Sequence, residues 1–267
     1  MTVLALKLLL APLLVVGSSL AGRRWGPRMA GILVVLPIVA GPILLILYLE
    51  HGSRFAGNAA SAATLGIAPL AFFVVVFAYL SKRHGWFVTL LASWLVVLAT
   101  DLALARVDLP AGAALALALL ALHGASALLR RQGRQSVPLP ATPWWDLPAR
   151  AAAAALLVLL VTGLAASSLG PALTGTLAPF PIALSVVCAF TVAQAGHAGV
   201  LALLRGIVPG LDGFALFCFL VAVMINKVGG VVAFGVATGA AVIFAIFLLA
   251  LSSNRYSPSV PTGRAIG

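Results

Sequence analysis

Ionisable side chains are rare in this chain, so each one inside an apolar stretch is a candidate for chemistry. The 267 residues include only five acidic side chains, and 63% of the residues are hydrophobic. Asp212 follows Pro209-Gly210-Leu211 within a long apolar run. A carboxyl group inside a membrane is costly and usually marks function, and in apolar surroundings it can exchange a proton. The sequence therefore nominates Asp212 for proton coupling.

Two alternatives concern the acidic candidates. Arg205 precedes Asp212 by seven residues, which is two helical turns on the same face, so the two side chains could simply pair. Glu50 ends an apolar run beside His51 and close to Arg54. Glu50 is therefore a second proton-coupling candidate or an interfacial cap. Both alternatives remain open at this point.

Motifs typical of membrane enzymes are absent from the sequence. The order Gly210-Leu211-Asp212-Gly213 differs from the Gly-x-Gly-Asp order of intramembrane aspartyl proteases, and neither HExxH nor a serine nucleophile elbow occurs. Cys188 and Cys218 lie in apolar stretches, and no histidine has a second ligand at metal spacing. We therefore expect no enzymatic activity, no bound metal and no cofactor.

A glycine and proline motif occurs twice along the chain. Its first copy has its counterpart 144 residues later, where Gly26, Pro27, Gly31 and Pro37 match Gly170, Pro171, Gly175 and Pro181. A second match, at an offset of 140 residues, relates Gly66 and Pro69 to Gly206 and Pro209. Duplicated membrane helices interrupted by proline are typical of secondary transporters, whose substrates bind where such helices meet.

Prolines inside membrane helices leave backbone carbonyls without their usual donors, and these must be satisfied by neighbours, water or a ligand. Serine and threonine close to the breaks could line the same cavity. The predicted substrate-binding site therefore consists of Pro37, Gly41, Pro69, Thr176, Pro181, Ser185 and Pro209. The alternative is that the prolines and glycines only shape helix packing.

The composition predicts that the candidate site residues are carried by transmembrane helices. Charged residues make up 8% of the chain, against about 25% in soluble domains. Runs of about 20 apolar residues are long enough to cross a bilayer as helices. We predict an all-α membrane protein with nine transmembrane helices, over about 3–21, 29–49, 58–80, 86–105, 110–129, 149–168, 173–194, 203–225 and 229–251.

The formal net charge of +11 is explained by the membrane topology. Twelve basic residues fall in one set of alternate loops and four in the other. Because basic loops stay in the cytoplasm, the bias places the N-terminus outside and the C-terminus inside. The bilayer is then the expected partner of these charges, and nucleic acid is not.

The repeat predicts four segments. Residues 1–108 form a first membrane repeat, 109–146 a linker helix with a cytoplasmic loop, 147–252 a second membrane repeat, and 253–267 a disordered tail. Four helices plus one linker helix shift the second half by an odd number of spans, so the two repeats are inverted. Trp144 and Trp145 in the loop are expected at the depth of the lipid headgroups.

Several of these motifs resemble a known group. Trp25-Gly26-Pro27 with Leu36-Pro37 and Leu49-Glu50-His51-Gly52, and Leu177-Ala178-Pro179-Phe180-Pro181 in the second half, resemble uncharacterised bacterial membrane proteins of similar length. Each half is also similar to small four-helix proteins of the GlpM-like type. The resemblance implies a bacterial inner membrane. It assigns no functional residue, because the shared motifs are structural and the group has no settled activity.

The expected function is that of a secondary transporter or exporter of a small or amphipathic solute, with proton coupling as its candidate mechanism. Sparse polar side chains favour such a solute over a large, highly charged one. The alternative is a non-catalytic structural or assembly subunit of a membrane complex. The expected partners are the lipid bilayer, a small-molecule substrate of unknown identity, and either further copies of the chain or a membrane-complex partner.

Overall fold

A computed structural model describes residues 2–35, 40–107, 109–133, 143–168 and 180–253, and these ranges are all-helical. This result confirms the predicted all-α class. The helices, numbered in chain order, are α1 Thr2–Trp25, α2 Pro27–Val34, α3 Ala40–Leu65, α4 Ile67–Leu80, α5 Trp86–Leu104, α6 Ala111–Arg130, α7 Asp146–Ser168, α8 Ile182–Val228 and α9 Gly230–Ser253.

Several helices are suited to a membrane. In the described part of the chain, five stretches are long and apolar enough to cross one: Gly41–Leu80, Trp86–Leu104, Ala111–Arg130, Ile182–Val228 and Gly230–Leu248. The first and fourth contain 40 and 47 residues, and about 20 residues suffice for one crossing. The chain therefore has the features of a multi-pass membrane protein. Nine spans remain a prediction, and the predicted tail lies outside the described residues from 254 onward.

Four glycines share one unusual backbone conformation. Gly26, Gly52, Gly196 and Gly229 have φ angles of 92°, 84°, 62° and 79° and ψ angles of 163°, 177°, −165° and 163°. A side chain would make this region of φ and ψ strongly unfavourable, so glycine is the residue that adopts it readily. Each of the four glycines stands directly between two helical segments.

These glycines reverse the chain direction within a single residue. Across Gly26, a Cβ atom placed on Gly22 would lie 2.9 Å from the Ala30 Cβ. Across Gly229, a Cβ atom on Gly213 would lie 3.0 Å from the Phe244 ring. The interruptions at Gly52 and Gly196 likewise divide α3 and α8 into the segments 40–51 and 53–65, and 182–195 and 197–228.

This finding corrects two predicted loops. The sequence predicts non-helical residues between 49 and 58 and between 194 and 203, but helix continues up to Gly52 and Gly196 and resumes immediately after them. The second segment of α3 then leads into α4 through Gly66, which has helical φ and ψ angles of −62° and −7°. A reversal at one glycine makes a separate loop unnecessary.

Two apolar clusters form the interior. The first lies among α4, α6 and α8 and includes the fully buried Phe73, Phe77, Leu122 and Leu204. The second lies among α3, α8 and α9 and is centred on Phe217. In a bilayer, lipid tails are as apolar as such side chains, so tight van der Waals packing rather than burial from water holds the helices together.

Helices α2 and α8 approach each other closely through glycine. A Cβ atom on Gly31 would collide with the backbone carbonyl of Leu203, and one on Gly206 would collide with the carbonyl of Arg28. A Cβ atom on Gly210 would lie 2.9 Å from the Ile32 carbonyl oxygen. Small residues four apart let two membrane helices touch through their backbones.

The order of these contacts gives the relative direction of the helices. Arg28 contacts Gly206, and Ile32 contacts Gly210. A Cβ atom built on Gly41 would lie 3.5 Å from the Phe217 ring. Residue numbers therefore increase in the same direction along the two packed stretches, 28–41 and 206–217. Consequently α2 and the first segment of α3 run parallel to the second segment of α8.

Side-chain contacts gather several helix ends at one end of the bundle, which we call the arginine-rich end. It comprises the last turns of α1, α4 and α6, the first turn of α7 and the Gly196 reversal. Arg23 at the end of α1 contacts Asp146 at the start of α7, and Ser81 after α4 contacts His197 beside the reversal. The opposite end contains the Gly229 reversal, where the Gly230 amide donates to the Tyr48 hydroxyl at 3.4 Å.

The helix ends gathered at the arginine-rich end agree with the prediction that basic residues occupy alternate loops. The loops that meet at the arginine-rich end belong to the set with twelve basic residues. Which end faces the cytoplasm is still a prediction from the positive charge.

Candidate functional site

A buried polar network lies at the arginine-rich end. Asp146, the first residue of α7, is fully buried and accepts hydrogen bonds from three side chains. The Arg150 Nε donates to both carboxylate oxygens, at 2.9 and 3.0 Å. Arg23 Nη2 donates to Oδ2 at 2.7 Å, and the Gln194 amide donates to Oδ1. The network thus joins α1, α7 and α8.

Asp146 is held in its charged form by these donors. Burial would by itself raise the pKa of the carboxyl, but the hydrogen bonds from Gln194, Arg150 and Arg23 and the charge of Arg150 outweigh burial. The pKa of Asp146 therefore lies below its ordinary value. At neutral pH the network contains one carboxylate and two guanidinium groups.

Arg150 makes two further contacts. Its Nη2 donates to Gln194 Oε1 at 2.9 Å, and its guanidinium carbon lies 5.0 Å from the centre of the Phe190 ring. Its side chain is 7% exposed. Arg23 is less enclosed, with a side chain that is 32% exposed, yet its Nε is buried and has no hydrogen-bond partner in the described part of the chain.

A second polar contact lies close by on α8. The Ser81 hydroxyl and His197 Nδ1 are 2.9 Å apart. His197 Nε2 is buried without a partner among the described residues, and the ring experiences the positive charges of Lys82 and Arg205. Unpaired polar atoms of this kind are uncommon in folded proteins and indicate a group that water or a ligand completes.

One predicted site residue, Ser185, takes part in a buried contact within the bundle. Its hydroxyl accepts a hydrogen bond from Trp94 Nε1 of α5 at 2.8 Å, and the residue is fully buried. Pro181 immediately precedes α8. The neighbouring Phe180 ring packs edge-on against Trp94, with 5.2 Å between the two ring centres. The structure thus brings Ser185 and Pro181 together beside α5.

Other predicted site residues lie in packed contacts elsewhere. Gly41 faces the Phe217 ring, and Pro69 is buried in α4. Pro209 lies inside α8, between the two glycines on which α2 packs. Pro37 and Thr176 lie outside the described residues, so the predicted pairing of the two proline breaks stays a prediction.

The two acidic candidates differ in their surroundings. Asp212 is half-buried on α8, its Oδ1 is buried without a hydrogen-bond partner among the described residues, and its carboxyl interacts electrostatically with His123 of α6. Arg205 instead donates to backbone carbonyls at the end of α6, including that of Leu129 at 2.9 Å. Glu50 is exposed at the end of the first segment of α3. Asp212 is therefore the stronger of the two candidates.

The network around Asp146 was not predicted from the sequence. One available signal was the spacing of Asp146 and Arg150, which places opposite charges one turn apart at the start of a helix. Another was the position of Gln194, which matches Glu50 at the offset of 144 residues. The contact with Arg23 spans 123 residues and depends on how three helices pack.

Comparison with known proteins gives no relative for this chain. No protein-family model, no curated protein and no solved structure matches it. The resemblance to the bacterial GlpM-like proteins therefore remains an expectation.

Proposed function

We propose that this protein is a bacterial inner-membrane secondary transporter or exporter of a small or amphipathic solute, built from two inverted repeats within nine spans, with Asp212 as its proton-coupling residue. The observation that carries the proposal is the position of Asp212. It stands at the middle of the helical segment 197–228, and one of its carboxylate oxygens is buried without a partner. Ionisable residues within membrane spans usually belong to ion or substrate pathways.

The repeat is supported by two equivalent glycines. Gly52 and Gly196 are 144 residues apart and share the same unusual backbone conformation. Gly196 lies beside His197 at the arginine-rich end, whereas Gly52 follows Tyr48, which contacts Gly230 at the opposite end. Equivalent turns at opposite ends are expected when two repeats have opposite orientations.

Parallel helices also fit inverted repeats. The first repeat contributes α2 and the first segment of α3, and the second contributes the segment 197–228. Their parallel alignment means that non-equivalent helices from the two halves cross the bundle side by side. Secondary transporters with inverted repeats place their substrate site at such an interface between the halves.

A structural or assembly subunit is the second candidate, and one observation favours it. Gly31, Gly206 and Gly210 bring the backbones of α2 and α8 into direct contact. This contact leaves no room for a solute at the entry of the repeated motif. A static scaffold needs such packing, although a transporter also needs rigid contacts within each moving unit.

Reconstitution tests the proposal directly. Compounds that raise the melting temperature of the purified protein would be assayed for uptake into proteoliposomes, with and without an imposed proton gradient. Wild-type protein is expected to accumulate at least one compound in response to the gradient, and Asp212→Asn is expected to lose that response. Glu50→Gln is assayed in parallel, because Glu50 is the other proton-coupling candidate and its exposed carboxylate is expected to be dispensable. Normal gradient-driven uptake by Asp212→Asn would refute the assignment of Asp212.

A further inference from the structure

We infer that Arg23, beside the buried pair of Arg150 and Asp146, binds a phosphate oxyanion at the arginine-rich end. The first observation is a local imbalance of charge. The two guanidinium groups share the single carboxylate of Asp146, which leaves the network with a net charge of +1. Because Asp146 and Arg150 are buried, the excess positive charge beside them is partly shielded from water, and an anion at the more exposed Arg23 would compensate it.

Among the described residues, no second acid contacts the two guanidinium groups and supplies the missing charge. Its five acidic residues are Glu50, Asp101, Asp108, Asp146 and Asp212. Glu50 lies at the opposite end, Asp101 lies in the last turn of α5, and Asp212 lies at the middle of its span. Asp108 lies outside the described residues, shortly after α5. No described acid therefore compensates the second guanidinium group, and the site that we infer takes its anion from outside the chain.

A free donor points to where the anion binds. Arg23 Nε is buried and has no acceptor in the described part of the chain, although Nη2 of the same guanidinium is bound to Asp146. A guanidinium group recognises oxyanions through two donors on one edge. Arg23 therefore has one donor in use and another that an anion would complete, and its 32% exposure gives an anion access.

The surroundings favour phosphate chemistry at the membrane surface. Trp25, two residues after Arg23, is 61% exposed, and Trp144 and Trp145, directly before Asp146, are 88% and 49% exposed. Exposed tryptophans of membrane proteins concentrate at the level of the lipid headgroups, where lipid phosphates lie. The same oxyanion chemistry is presented by a phospholipid headgroup and by free phosphate, so the test must distinguish these two sources.

The test uses the full-length protein purified in a maltoside detergent, which carries no phosphate. Melting temperature would be recorded against increasing inorganic phosphate, short-chain phosphatidylglycerol, or diacylglycerol with the same acyl chains. Stabilisation by phosphate alone identifies a free-anion site. Stabilisation by phosphatidylglycerol alone identifies a headgroup site, and either result supports the inference. Equal stabilisation by diacylglycerol and phosphatidylglycerol would overturn it.

Three variants make the site assignment specific. Arg23→Gln is expected to weaken the apparent affinity by about tenfold or more, since it removes charged donors. Asp146→Asn is expected to strengthen it, because the anion no longer competes with the carboxylate, and an unfolded variant could not bind more tightly. Arg24→Gln removes the same charge from an exposed side chain that rests on Trp25, and its affinity should equal that of the wild type. Unchanged affinity in both Arg23→Gln and Asp146→Asn would refute the site.

Discussion

Arg23 Nη2 donates to Asp146 Oδ2 at 2.7 Å, and this contact joins the last turn of α1 to the first turn of α7 across 123 residues. Arg23 belongs to the first helix of the first proposed repeat, and Asp146, the last residue of the predicted linker segment, begins the helix that opens the second. Gln194, two residues before the reversal at Gly196, donates to the same carboxylate. A single carboxylate therefore connects both halves of the chain at the arginine-rich end.

Replacing this carboxylate is expected to weaken the fold. Asp146→Asn replaces the carboxylate with a neutral amide, which cannot form ion pairs with Arg23 and Arg150. The two guanidinium groups then repel each other without a compensating charge. We expect a loss of about 1.5–3 kcal/mol in the free energy of unfolding, which is typical of a hydrogen bond to a charged group. Thermal unfolding in detergent measures the loss. A melting temperature equal to that of the wild type would show that the network contributes no stability.

The pKa of Asp146 also predicts how stability depends on pH. Because this pKa is lower in the folded protein than in the unfolded chain, the carboxylate stabilises the fold fully above the unfolded value, about 3.9. The stabilisation is lost as the pH falls through the folded-state pKa. The difference in melting temperature between wild type and Asp146→Asn should therefore be constant near neutral pH and shrink in acid. A difference that persists at the lowest pH would contradict this account.

The contact between α2 and α8 predicts a large effect of one methyl group. Gly206→Ala would place a Cβ against the Arg28 carbonyl, and rigid backbone cannot move aside easily. We expect destabilisation of about 1–3 kcal/mol, as for other overpacked sites. Gly235→Ala is the matched control, since a Cβ there has no neighbour within 4 Å. If the two variants melt at the same temperature, the helices are not packed through Gly206.

The reversal at Gly196 can be tested without any steric clash. A Cβ on Gly196 would have nothing within 4 Å, but the residue has a φ of +62° and an extended ψ. Gly196→Ala is therefore expected to cost about 1–3 kcal/mol through backbone strain alone. Gly124 in α6 has equally open space and lies inside a helix, so Gly124→Ala should be neutral or stabilising. A neutral Gly196→Ala would argue against the reversal.

The hydrogen bond between Trp94 and Ser185 predicts a modest coupling energy. A double-mutant cycle of Trp94→Phe and Ser185→Ala would isolate it, because each change removes one partner of the 2.8 Å contact. Hydrogen bonds between membrane helices average about 0.6 kcal/mol in such cycles. Strictly additive effects of the two substitutions would show that α5 and α8 are not joined there.

The sequence predicts some features of this molecule better than others. The all-α class follows from the long apolar runs, since isolated backbone groups in a bilayer must pair within helices. The predicted loops around Gly52 and Gly196 are wrong, because a glycine is usually one residue of a loop, whereas here helix lies on both sides of a single glycine. The shared conformation of these two glycines could not be read from their identity alone.

The candidate site is likewise only partly predictable from the sequence. The sequence indicates Ser185 through its position near a proline, but its partner Trp94 is 91 residues away in sequence. The sequence places Asp146 in the linker, because a charge beside two tryptophans is typical of a surface loop. Its burial depends on Arg23 and Gln194, which only the packing of α1 and α8 brings to it.

Accessibility at Asp212 tests the central claim most directly. Asp212→Cys would be made in a chain with Cys188→Ala and Cys218→Ala, which removes both native cysteines, and reacted in sealed vesicles with a membrane-impermeant thiol reagent. A transporter that alternates between inward-open and outward-open states should be labelled from either side of the membrane. Labelling from one side only, or from neither, would contradict the transporter account and favour a static membrane subunit.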